Sequence, residues 1–128
     1  VDTITVKEVM NNNYEDIYML DVRTKEEYDL SHVKNKKVIN IPLNELRKNI
    51  EKLNKICKEN GIKELIVYCH SGMRSYIACR ILMQNGFKVK NMIGGYTMYK
   101  LLAESANGDG PFRPRNKLKA LNIKENKN

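Results

Sequence analysis

Apolar runs and amphipathic stretches alternate along this chain from one end to the other. Ile17-Tyr18-Met19-Leu20-Asp21-Val22 and Leu65-Ile66-Val67-Tyr68-Cys69 are short, dense and β-branched or aromatic, and they read as buried central strands. Val38-Ile39-Asn40-Ile41 is a third strand, stopped by Pro42, which has no N–H to give to a ladder. Val89 to Ile93 is a fourth. Between them the apolar period lengthens. Leu43, Leu46, Ile50, Leu53 and Cys57 recur at spacings of three and four, which predicts one helix of about four turns, ended by Asn60-Gly61. A helix over 73–85 follows, with Ile77, Ala78, Ile81 and Leu82 expected to face inward and Gly86 closing it. Gly94-Gly95 predicts a tight turn, and Tyr96 to Glu104 a last helix.

Helix starts are marked as well. Thr5-Val6-Lys7-Glu8 and Thr24-Lys25-Glu26-Glu27 both fit the S/T-x-x-E capping box. Strands separated by helices predict an α/β domain, a parallel sheet covered on both faces. At 128 residues there is material for one core. The expected division is a domain over residues 1–108 and a tail over 109–128.

Charge adds a tail but no partner. The formal net charge is +8, and from Gly110 onward two Arg and four Lys stand against one Glu, a net +5. That segment reads as a solvated, mobile terminus. Without aromatic or glycine interleaving it does not predict a nucleic-acid surface. No apolar run approaches bilayer length, and no secretory signal pattern opens the chain. Three cysteines cannot all pair, and none stands at metal-ligand spacing, which suits a reducing, cytoplasmic setting. The start at Val1 rather than Met fits a piece of something longer.

The candidate chemistry sits in Cys69-His70-Ser71-Gly72-Met73-Arg74-Ser75. A cysteine at a strand-to-helix turn lies where backbone N–H groups converge and the positive end of a helix dipole points. Such surroundings convert a thiol to a thiolate. Gly72 permits backbone angles that residues with a Cβ resist. Arg74 is expected to add a fixed positive charge, and Ser71 and Ser75 hydroxyl donors. His70 follows the nucleophile directly and reads as a wall of the pocket rather than a base. Cys57 reads as core and Cys79 as partly buried packing. Asp21, Arg23 and Glu27 predict an ion-pair network.

These residues resemble the rhodanese, or sulfurtransferase, family, whose loop is C-x-x-G-x-R. Leu20-Asp21-Val22-Arg23, Glu27-Tyr28, His32, Ile39-Asn40-Ile41-Pro42-Leu43 and Gly94-Gly95-Tyr96 extend the likeness over roughly residues 3–104. The resemblance implies a mostly parallel five-stranded sheet flanked by helices. It also implies Cys69 and Arg74 as catalytic residues, with His70, Ser71, Gly72, Met73 and Ser75 binding substrate, and no metal or organic cofactor. His32 would make a structural hydrogen bond. Ser31 and Asn35 depart from the family by standing where glycines are usual, and Lys34 to Lys37 is a slightly longer segment.

The chemistry so implied moves sulfane sulfur from a small anionic donor (thiosulfate, a persulfide or a polysulfide) to a thiol or cyanide through a persulfide on Cys69. Two other readings stand beside it. One is a non-turnover, sulfur-binding or regulatory module, since the segment from Gly72 to Lys100 is similar to rhodanese domains fused behind flavin-dependent coenzyme A-disulfide reductases and NADH oxidases. The other is a cysteine phosphatase. Its loop is one residue longer, and one residue adds up to ~3.5 Å of chain, the difference between cradling a sulfur atom and a phosphate.

Overall fold

The computed structural model describes residues 1–11 and 17–106. By compactness the chain divides into Val1–Thr97, which holds the sheet and the cysteine loop, and Met98–Asn128. The expected tail and its boundary at 108–109 lie outside the described residues.

The elements run β1 (Thr3–Thr5), α1 (Val6–Asn11), β2 (Tyr18–Asp21), α2 (Lys25–Leu30), β3 (Lys37–Asn40), α3 (Ile50–Glu59), β4 (Leu65–Tyr68), α4 (Met73–Gln84), β5 (Val89–Ile93) and α5 (Gly95–Ala106). The sheet has the order β1-β5-β4-β2-β3, and every pairing is parallel. All four residues of β4 are buried, as a central strand with two covered faces requires. Alternation sends Leu65, Val67 and Cys69 into one core with Leu20, Val22, Leu53, Cys57 and Leu82, while Ile66 and Tyr68 point the other way. No helix of the described residues is long and apolar enough to cross a membrane.

Both capping boxes form. Thr5 Oγ1 accepts from the Glu8 N–H while the Glu8 carboxylate accepts from the Thr5 N–H. Thr24 and Glu27 do the same at α2. A cap of this kind stabilises a short helix by about 1 kcal/mol.

Three expectations change. The stripe from Leu43 to Cys57 is not one helix: 3-10 turns at Leu43–Glu45 and Arg47–Asn49 precede α3. Spacings of three and four satisfy both geometries, so the apolar stripe could not tell them apart. Ile77 does not face inward; it is exposed, and the buried side of α4 is Ser75, Ala78, Cys79, Ile81 and Leu82. The small side chains at 75, 78 and 79 let α4 pack on β4 and β5, which turns Ile77 to solvent. Cys79 is therefore fully buried, not partly.

The turn after β5 is built against the cysteine loop. Tyr96 N–H donates to the Cys69 carbonyl at 2.8 Å, and Thr97 N–H to the His70 carbonyl at 3.0 Å. Gly95, at φ +57°, lies beneath them; a Cβ there would stand 2.6 Å from the Cys69 carbonyl oxygen and 2.7 Å from that of His70. Both neighbours are backbone and neither can swing away. Gly95→Ala is expected to destabilise the fold by roughly 2 kcal/mol or more, from clash and left-handed strain together. Denaturant unfolding checks this, and an unchanged midpoint would refute the close approach.

Candidate active site

The C-terminal end of β4 delivers Cys69 into a loop that turns at Gly72, φ +126°, and enters α4 at Met73. In parallel α/β sheets, ligand chemistry gathers at this end of the strands. The residues of the loop divide sharply by exposure. Cys69 and Ser75 are buried, His70, Ser71 and Met73 are exposed, and Gly72 and Arg74 lie between.

Cys69 Sγ accepts the Gly72 N–H at 3.0 Å and lies 3.3 Å from the Ser75 hydroxyl. Ser75 Oγ also donates to the Gly72 carbonyl at 3.1 Å when it is not turned to the sulfur. Burial pushes the Cys69 thiol up, but the Ser75 hydroxyl and the N–H groups of Ser75, Gly72 and Ser71 outweigh it, and the net shift is downward. At the other two cysteines burial dominates, with no hydrogen bond set against it. Burial raises the Cys57 thiol, and it pushes Cys79 up to about 12.

Arg74 does not supply a free charge. Its guanidinium grips Glu27 of α2 at 2.8 and 3.2 Å, both side chains being about one-third exposed. The Glu27 carboxyl is lowered to about 2, chiefly by its hydrogen bond to Arg74. Arg74 is raised in turn, first by Glu27, and it also feels the Cys69 thiolate, so it stands within electrostatic reach of the sulfur. The expected single network of Asp21, Arg23 and Glu27 is instead two pairs. Arg23 closes on Asp21 at 2.7 Å, almost without solvent, and donates to the Ser31 carbonyl. Sequence separation hid the second pair: Glu27 and Arg74 are 47 positions apart. The only signal available was an unmatched acid and base in two family motifs far apart in the chain.

The His70 ring is exposed and lies against Thr97, Nε2 to Oγ1 at 3.2 Å. His32 makes the structural bond expected of it, Nδ1 to the Tyr28 carbonyl at 3.2 Å, with its ring stacked on Tyr28. Asn35 takes φ +62°, the conformation for which glycine is usual and which asparagine tolerates. A concavity of about 700 Å³ lies at the opposite end of the sheet, lined by Thr3, Tyr18, Lys37, Glu64 and Lys90 among others; it contains no cysteine or histidine.

With this geometry in place, likeness to known proteins is informative. The family model described as Rhodanese-like domain matches residues 5–101. YrkF of Bacillus subtilis, which carries the name of a sulfur carrier protein, is 42% identical over 82 residues, covering 63% of this chain and 40% of that protein. The crystal structure of reduced CoADR-RHD from Bacillus anthracis superposes with a TM-score of 0.63 at 37% identity, over 77% of this chain and 16% of the other. An NAD-dependent persulfide reductase from A. fulgidus gives 0.55 at 37% identity with the same coverages, 77% and 16%. The chain thus spans well under half the length of each.

Because thiolate is the reacting species, alkylation of Cys69 is expected to rise with pH through a midpoint below the ordinary thiol value of about 8.5. At pH 7 iodoacetamide should label Cys69 and leave Cys57 and Cys79 unmodified, as read by peptide mass mapping. Ser75→Ala removes one donor to the sulfur and should move the midpoint up by roughly one pH unit, the worth of one such bond. Equal labelling of the three cysteines would refute the assignment.

Proposed function

The chain belongs to the rhodanese-like domain family, and we propose that it is a sulfurtransferase working through a persulfide on Cys69. The observation that carries this reading is the buried sulfur with converging donors, Gly72 N–H at 3.0 Å and Ser75 Oγ at 3.3 Å. A sulfur-transfer role is also supported by a relative named as a sulfur carrier and a neighbour named as a persulfide reductase.

The steps follow from the thiolate. Cys69 S⁻ attacks the outer sulfur of the donor, and the donor's S–S bond breaks with its electron pair leaving on the former partner: sulfite from thiosulfate, a thiolate from a persulfide. Cys69 then carries the sulfur as a persulfide. The loop N–H groups and the Ser75 hydroxyl are placed to stabilise negative charge on the sulfur, an oxyanion-hole arrangement applied to sulfur. A thiol or cyanide attacks the outer sulfur in turn, and Cys69 S⁻ is released. Two covalent half-reactions of this kind give ping-pong kinetics. We propose a second setting, to which two structural neighbours at 37% identity lend support: a flavin-dependent disulfide reductase domain, of the coenzyme A-disulfide reductase or NADH oxidase type, would work beside this one.

Cys69→Ser is expected to abolish thiosulfate-to-cyanide sulfur transfer, while Cys57→Ser and Cys79→Ser retain most of it. Mass spectrometry after donor treatment should find one added sulfur on the Cys69 peptide, removable by cyanide or dithiothreitol. The same protein should not hydrolyse an aryl phosphate, since the loop is short for a phosphate. Phosphate release without thiocyanate formation would overturn the proposal in favour of a phosphatase.

A further inference from the structure

We propose that Glu27 is the residue that selects the sulfur donor, by holding Arg74 in a two-bond ion pair that leaves Cys69 in charge-neutral surroundings fit for a persulfide R–S–SH rather than for the thiosulfate dianion. This rests on the sulfur-transfer reading above and names the substrate class within it.

Among the described residues, the two arginines beside the cysteine loop are each matched by a carboxylate, Arg23 by Asp21 and Arg74 by Glu27. The Arg74 pair is bidentate, at 2.8 and 3.2 Å, so an incoming sulfonate must displace a carboxylate already seated on that fork. Glu27 is also anchored from its own side: the same Oε1 accepts from the Thr24 backbone N–H at 3.0 Å, which keeps the carboxylate from swinging out. With its pKa lowered to about 2, chiefly by Arg74, Glu27 stays ionised at any working pH. A dianion therefore meets a cation already matched, and the carboxylate repels it. A persulfide, at most singly charged at its sulfur and neutral in the protonated form that accepts attack, has no sulfonate to seat on Arg74 and incurs a smaller penalty.

Apolar surface is available to the R group. Met73, next to Arg74 in the chain, is 71% exposed, and Leu30, three residues on from Glu27 in α2, is 88% exposed. Side chains three apart share a helix face. In the transfer, Cys69 S⁻ bonds to the outer sulfur of R–S–SH, the S–S bond breaks, and R leaves as R–S⁻. The proton stays on the transferred sulfur, giving Cys69–S–SH. No oxidant or reductant enters.

The test is Glu27→Gln, which keeps the capping box, since glutamine serves at that position as well as glutamate. Its kcat/KM with thiosulfate is expected to rise about tenfold, the worth of one charged hydrogen bond discounted for exposure, and to become more salt-sensitive. With 2-hydroxyethyl persulfide as donor, which carries no charged group besides its sulfur, the change should stay within about threefold. Adding Arg74→Ala should erase the thiosulfate gain, because Glu27 acts through Arg74. An equal fall with both donors, alongside a lowered unfolding midpoint, would show Glu27 to be a strut and overturn the proposal.

A second readout needs no turnover: the concentration of inorganic sulfate that protects Cys69 from iodoacetamide should drop about tenfold in Glu27→Gln. Unchanged protection would also overturn the selector role. If wild type and Cys69→Ser perform alike with both donors, it is the sulfurtransferase reading that fails, and sulfate protection still decides the part played by Glu27.

Discussion

One ion pair, Asp21 with Arg23, ties together most of what frames the site. The Arg23 side chain is 3% exposed and that of Asp21 is fully buried. From this position the guanidinium reaches the Ser31 carbonyl after α2, lies 4.4 Å above the Tyr96 ring, and faces Tyr68 of β4 at 5.6 Å. Ser31 is itself hydrogen-bonded to Tyr96 through their hydroxyls. Burying two charges carries a heavy desolvation cost, and removing one partner alone typically destabilises by about 3–5 kcal/mol. The compensation lies in how many elements the pair fixes at once: the end of β2, the exit of α2, the last residue of β4 and the turn into α5. The Tyr68 phenol is pushed up by that same burial and by Asp21, so it stays neutral and accepts the Val33 N–H.

Much of this was legible from residue patterns, and the failures have physical causes. The capping boxes were readable because N-cap chemistry is local: four residues contain every atom involved. Strands β2 and β4 stood out because covered strands are largely apolar. By contrast, β1 escaped the apolar pattern. Its three residues, Thr3-Ile4-Thr5, are too few to alternate and share Thr5 with a helix cap. The family resemblance supplied the fifth strand that periodicity did not. Long-range pairing was the least legible feature. Nothing in the spacing of Glu27 and Arg74 announces that the helix after β2 must come alongside the loop after β4.

That pairing also changes what lowers the Cys69 thiol. Sequence reasoning gave the task to converging backbone N–H groups, a helix terminus and a nearby arginine, and expected Ser71 and Ser75 hydroxyl donors. The structure gives it to short-range donors, the Ser75 hydroxyl and the N–H groups of residues 71, 72 and 75. These are fixed dipoles at hydrogen-bond distance, and they act in a buried place where water does not screen them. Meanwhile the loop carbonyls of Cys69 and His70, which would repel a thiolate, are turned the other way and satisfied by Tyr96 and Thr97. The loop is thereby sorted into a face of donors and a face of acceptors, with Gly95 allowing the second face to be closed.

Confinement of the activating donors to a seven-residue segment has an evolutionary corollary. The donors that chiefly depress the Cys69 pKa sit between positions 69 and 75, whereas the acid that occupies Arg74 sits on α2, a different element of the chain. Substitutions on α2 are therefore free to alter the electrostatic character of the entrance while the reactivity of the sulfur stays put. A scaffold partitioned in this way is modular in the engineer's sense: its reagent is built once, and its selectivity filter is interchangeable.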